Sequence, residues 1–104
     1  MLIEANDSTF SQELSQHGKV IVKYYASWCG SCKLFAPKYK RLSNDERFTD
    51  IVFLDVNAED SPESRKLAGV NNLPSFAIFQ DGKHIETVST SKEEGVVELL
   101  EKLK

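Results

Sequence analysis

The chain holds only two cysteines, Cys29 and Cys32, and they stand three residues apart with Gly30 and Ser31 between them. On the first turn of a helix this spacing puts both side chains on one face, within the Cα separation that a disulfide bridges without large backbone movement. Such a pair can be oxidised and reduced in place. A thiolate at the first cysteine meets unpaired N–H groups and the positive end of the helix dipole, which lower its pKa and raise its reactivity near neutral pH. Cys29 is therefore the candidate nucleophile. Cys32, one turn further in, is placed to attack a mixed disulfide formed at Cys29 and release the partner as a thiol.

Two cysteines can also serve as a structural cross-link or as half of a zinc site. A four-residue loop gains little from cross-linking, and small secreted domains usually carry several bridges. Tetrahedral zinc needs two further ligands, whereas the only histidines, His17 and His84, are far apart and not in a paired spacing. Context favours exchange chemistry: the pair directly follows an apolar, β-branched and aromatic run at residues 19–25 and opens a helix.

The elements that must hold this pair follow from the patterning. Residues 2–5 form a short strand candidate, and Asp7 or Ser8 can cap a helix carrying Phe10 and Leu14 until Gly18 stops it. Residues 19–25 read as a central parallel strand covered on both faces, interrupted by the charge of Lys23. The helix over 30–42 places Phe35, Tyr39 and Leu42 on one side and Lys33, Lys38, Lys40 and Arg41 mostly on the other, with Pro37 expected to kink it. A polar loop over 44–50 leads to a buried strand over 51–56, parallel to the first by the right-handed crossover rule. Ser61-Pro62-Glu63 opens a helix that Gly69 ends. Asp81-Gly82 between residues 75–80 and 84–89 signals a tight hairpin. Ser91 to Glu94 reads as a capping box for a last helix whose Val96, Leu99, Leu100 and Leu103 share a face, and Gly95 has no evident role inside it. The order is βαβαβαββα, an α/β fold with a mixed five-stranded sheet and helices on both faces, in one domain over residues 1–104.

Composition narrows the function. A net charge of −3 offers no phosphate-binding surface, so nucleic acid is not an expected partner. No apolar run approaches the roughly 18 residues of a membrane span, and the first residues lack the basic and apolar regions of a signal peptide. The expected compartment is a reducing cytosol. The five glycines are scattered, which rules out a phosphate-cradling loop, and the two histidines read as surface residues.

Trp28-Cys29-Gly30-Ser31-Cys32-Lys33, then Phe35-Ala36-Pro37, then Leu73-Pro74-Ser75-Phe76 ahead of a late strand resemble the thioredoxin family over nearly the whole chain. The resemblance implies the thioredoxin-like fold and exchange of protein disulfides with no organic cofactor and no metal. A monomer would work on disulfide-containing proteins and be recharged by a thioredoxin-reductase-like donor, usually a flavin protein. It implies that Trp28 shields the nucleophile and touches substrate, alongside Gly30 and Ser31. It also implies that the Leu73–Pro74 bond is cis and that the Leu73 backbone hydrogen-bonds an extended substrate. Two departures stand out. Ser89-Thr90-Ser91 replaces a loop that commonly carries glycine, which makes Thr90 a substrate contact. Lys23 occupies a position where relatives carry a buried acid, while Asp55 falls where they carry a lysine. Either Lys23 snorkels to solvent, or the charges are exchanged and Asp55 takes the proton of Cys32 with Lys23 holding it ionised. Two other readings stay open: a binding or chaperone module that kept the fold, and a dimer sharing a metal or iron-sulfur centre.

Overall fold

The computed structural model describes residues 2–103. Five strands, β1 (Leu2–Ala5), β2 (Lys19–Tyr25), β3 (Val52–Asn57), β4 (Ser75–Gln80) and β5 (Lys83–Ser89), form one sheet in the order β1-β3-β2-β4-β5. The first three run parallel, and β4 and β5 are antiparallel additions. Four α-helices, α1 (Phe10–Gln16), α2 (Gly30–Ser43), α3 (Pro62–Leu67) and α4 (Glu93–Glu101), complete the expected βαβαβαββα order.

Because side chains alternate across a strand, β2 feeds two cores. Val20, Val22 and Tyr24 pack with Phe10, Leu14, Ala68 and Val70 on the α1 and α3 side. Ile21 packs with Phe35, Tyr39, Leu42, Leu99 and Leu100 on the α2 and α4 side. Lys23 shares the parity of Ile21 and therefore points toward α2. Full burial of Phe35, Tyr39 and Leu42 at i, i+4 and i+7 seats α2 on the sheet, each contributing about 1.5–3 kcal/mol. That seating carries the cysteines, because they occupy the helix's first turn. Tyr39 adds direction: its hydroxyl reaches the carbonyls of Leu54 at 2.9 Å and Ile21 at 3.1 Å, tying α2 to both β2 and β3.

Several local expectations need correction. Neither Asp7 nor Ser8 caps α1. Asn6 accepts the Ser8 N–H on its side chain at 2.8 Å, and its carbonyl takes the Phe10 N–H at 2.8 Å. Asp7 instead crosses to α3, where it accepts the N–H groups of Glu63 at 3.1 Å and Ser64 at 2.8 Å, and the Ser64 hydroxyl at 2.7 Å. Ser61 precedes α3 but makes no cap bond, and its buried Oγ has no hydrogen-bond partner among the described residues. Residues 44–50 are not simply a polar loop: they contain a 3-10 turn, Glu46–Phe48, whose Phe48 is fully buried. Ser91 does not cap α4; Lys92 is its N-cap residue and donates its N–H to Thr90 Oγ1 at 3.1 Å. The hairpin turn is as expected, with Asp81 and Gly82 both at positive φ.

The Ser64 hydroxyl, with the N–H groups of Ser64 and Glu63, holds the Asp7 carboxyl below its ordinary value near 3.8. A lowered folded-state pKa gives stability that is present above the unfolded value and lost as pH falls through the folded one. Asp7→Ala is therefore expected to lower the urea midpoint at neutral pH, and its gap from the parent protein to narrow below about pH 4. A gap independent of pH would contradict the assignment.

Candidate active site

The chain leaves β2 at Tyr25 and turns through Ala26, whose carbonyl accepts the Cys29 N–H at 3.2 Å. Cys29 then stands as the N-cap residue of α2 in an extended conformation (φ −87°, ψ 107°). Its sulfur occupies the place that a serine or aspartate oxygen takes in an ordinary cap: Sγ accepts the Cys32 N–H at 3.2 Å. The Ser31 hydroxyl lies 3.6 Å from the same sulfur. Cys29 and Cys32 are joined as a disulfide with their Cα atoms 5.3 Å apart. Both are buried against Ala26, Tyr25 and Leu73, while Trp28 beside them is 68% exposed.

Across from the pair the Leu73–Pro74 peptide is cis. Ser75 anchors that turn, donating its hydroxyl to the Asn72 carbonyl and meeting Ser89 Oγ at 2.7 Å. A shallow groove of about 200 Å³ separates Ser31 from Leu73, Pro74 and Thr90. Thr90 fits there because residue 95 has no side chain: a Cβ at Gly95 would lie 3.0 Å from Thr90 Cγ2. Gly95 thus has a role after all, letting α4 approach the loop that edges the groove.

Behind the pair, Lys23 is buried rather than snorkelling, and its Nζ lies 3.2 Å from Asp55 Oδ1. The strand register sets them directly opposite each other. The ammonium also lies 5.0 Å from the centre of the Tyr39 ring and 5.5 Å from that of Tyr25, distances at which a ring face attracts a cation. Asp55 Oδ1 is buried, and its polar neighbour among the described residues is the Lys23 ammonium. Burial raises the Asp55 carboxyl above its ordinary range, and the Lys23 ammonium opposes the rise without cancelling it. Lys23, Asp55 and Cys32 line one cavity of about 240 Å³. The site therefore brings Cys29, Gly30, Ser31, Trp28, Leu73, Pro74 and Thr90 around the outer face of the pair, and Lys23 with Asp55 behind it. Tyr25, which lines the same cavity, was not singled out in the sequence; its i+2 relation to Lys23 is the signal that places both side chains on one face.

An exchangeable cysteine pair at a helix N-terminus, facing a cis-proline turn on a five-stranded sheet, defines a dithiol–disulfide exchange protein. The chain belongs to the thioredoxin family, whose family model, described as Thioredoxin, matches residues 1–102. It is a thiol-disulfide oxidoreductase. It is 35% identical to Thioredoxin-1 of Schizosaccharomyces pombe over 85% of this chain and 84% of that one. It is 36% identical to the chloroplastic thioredoxin F1 of Arabidopsis thaliana over 94% of its own length, which spans 56% of that relative. Among solved structures it is similar to Plasmodium falciparum thioredoxin, with a TM-score of 0.88 and 28% identity, covering 100% of both chains. It is equally similar, at 0.88 and 33% identity, to a thioredoxin f2 solved in complex with ferredoxin:thioredoxin reductase, covering 97% of this chain and 93% of that one.

Removing either member of the Lys23–Asp55 pair strands the other away from water, which costs more than removing both. Lys23→Ala and Asp55→Ala should each lower stability in urea titrations, and the double mutant should be less damaged than their sum by about 1 kcal/mol or more. Additivity within about 0.3 kcal/mol would contradict the coupling.

Proposed function

We propose that Cys29 is the attacking thiolate and Cys32 the resolving thiol in reduction of protein disulfides. The observation that carries this is the Cys32 N–H donated to Cys29 Sγ at the start of a fourteen-residue helix, since the same N–H and helix dipole favour a thiolate at that atom. Attack by the Cys29 thiolate on a substrate disulfide forms one S–S bond, breaks another, and expels a substrate thiolate that takes a proton from water. Cys32 then loses its proton, and its thiolate attacks Cys29 Sγ. The products are the Cys29–Cys32 disulfide and the second substrate thiolate, a net transfer of two electrons.

Asp55 is our candidate acceptor for the Cys32 proton. Its buried carboxylate, 3.2 Å from the Lys23 ammonium, lines a cavity together with Cys32 that is roomy enough for a bridging water. A carboxyl with a raised pKa is a better match to a thiol than an ordinary one. Lys23 keeps Asp55 ionised for that step. We assign the exposed Trp28 ring, Gly30, Ser31, the Leu73 backbone, Pro74 and Thr90 to substrate contact, supported for Ser31, Leu73, Pro74 and Thr90 by the groove they line and for Trp28 by its exposure beside the pair. The electron donor we propose is a thioredoxin-reductase-like enzyme, a reading supported by the thioredoxin f2 relative solved in complex with ferredoxin:thioredoxin reductase. The remaining proposals are a monomeric single domain over 1–104, no cofactor of its own, and a reducing compartment, the cytosol. The last is supported by a cysteine content limited to the exchanging pair.

The test is dithiothreitol-driven reduction of insulin followed by turbidity. The parent protein should accelerate it, Cys29→Ser should abolish the acceleration, and Asp55→Asn should slow it by about tenfold or more at neutral pH. Activity surviving in Cys29→Ser would overturn the nucleophile assignment, and an unchanged rate in Asp55→Asn would overturn the proton acceptor.

A further inference from the structure

The register aligns three charged residues across three strands: Glu4 on β1 opposite Asp55 on β3, and Asp55 opposite Lys23 on β2. Residues directly opposite share a face of the sheet. Two carboxylates therefore flank one another beside a single buried ammonium. Strands are about 4.8 Å apart, so Glu4 and Lys23 stand roughly two spacings, ~10 Å, from each other at the backbone. A glutamate and a lysine side chain extended toward each other close that gap. Yet the ammonium is at 3.2 Å from Asp55, and Glu4 is engaged elsewhere: Tyr25 donates its hydroxyl to Glu4 Oε2 at 2.7 Å.

We propose that Tyr25 is a positioning residue for the resolving step: by holding the Glu4 carboxylate on its hydroxyl and presenting its ring to Lys23, it reserves the Lys23 ammonium for Asp55. The proposal rests on the reading that Asp55 accepts the Cys32 proton. The geometry gives Tyr25 both halves of the task. Its ring lines the cavity shared by Cys32, Lys23 and Asp55 and lies 5.5 Å from the ammonium, while its hydroxyl points the other way, to β1. Burial, followed by the neighbouring Glu4, holds its phenol above the ordinary range, so it remains a donor across the working pH. The groups facing Asp55 are Lys23 and Tyr25 from β2 and Glu4 from β1. From α2 come Cys32, Lys33 and Tyr39, and Asp60 bears on Tyr25 from beyond β3. Glu4 is the one carboxylate in that set that sits beside Asp55 in the register and is held by a hydroxyl.

Loss of that hydroxyl frees Glu4 to compete for the ammonium. Asp55 then has less positive charge beside it and is harder to ionise. The experiment follows the Asp55 side-chain carbon by NMR against pH in the reduced protein, together with the pH dependence of insulin reduction. Tyr25→Phe keeps the ring and its packing. It should raise the Asp55 midpoint by about half a pH unit or more and move the acidic limb of turnover by the same amount. Adding Glu4→Gln, which removes the competitor, should return both toward the parent values. This recovery by a second substitution is not expected of a residue that only packs. An unmoved midpoint in Tyr25→Phe, with Asp55→Asn still slow, would overturn the proposal and leave the role of Asp55 standing. A turnover rate indifferent to Asp55→Asn would remove the proton acceptor itself, and with it any link between Tyr25 and the resolving step.

Discussion

The structure depends on one placement: the sulfur of Cys29 on the Cys32 N–H in the first turn of α2. A helix start leaves its first amides without intrahelical partners, and this chain satisfies one of them with a cysteine instead of a serine or aspartate. On the proposed assignment of Cys29 as the nucleophile, the reactive atom and the helix cap are the same atom. Reactivity is therefore coupled to the seating of α2, which in turn rests on Phe35, Tyr39 and Leu42 packed into the sheet. The strand that delivers Cys29 is bonded on both sides, to β3 and to β4, so the sulfur has a fixed origin on the sheet as well as on the helix.

The charged pair behind the cysteines is a cost the fold carries at its centre. A buried ion pair is seldom better for stability than apolar residues of the same volume, and here desolvation wins at Asp55, whose carboxyl is raised despite the adjacent ammonium. Tyr39 limits the cost by offering its ring to Lys23 while its hydroxyl holds the two strand carbonyls. On the proposed mechanism the gain is in chemistry: a carboxyl of raised proton affinity stands in a cavity lined by Cys32. Exchanging which strand carries the acid and which the base leaves that arrangement intact, because the register keeps positions 23 and 55 opposite each other.

What was legible in the sequence was whatever a local rule determines. The apolar run of β2, the Asp81-Gly82 turn and the spacing of Phe35, Tyr39 and Leu42 each name their own structure, and the cysteine pair names its chemistry. The cap of α3 was not legible, because it comes from Asp7, fifty-six residues earlier in the chain than Glu63, and no sequence window contains both. Phe48 hid in a polar stretch for the same reason: what buries it lies elsewhere in the chain. Gly95 read as a helix defect, since the approach of Thr90 that requires it is a tertiary contact. The Lys23–Asp55 alternative stayed open until the register was known, as a lysine of that length can reach either water or a partner.

The central claim is a division of labour in which Cys29 makes the bond to substrate and Cys32 breaks it. It is tested most directly by trapping the intermediate. A Cys32→Ser protein mixed with a disulfide-containing protein should accumulate a covalent adduct through Cys29, stable on a non-reducing gel and dispersed by dithiothreitol, while Cys29→Ser should accumulate none. Adducts forming through Cys32 as readily as through Cys29 would contradict the account.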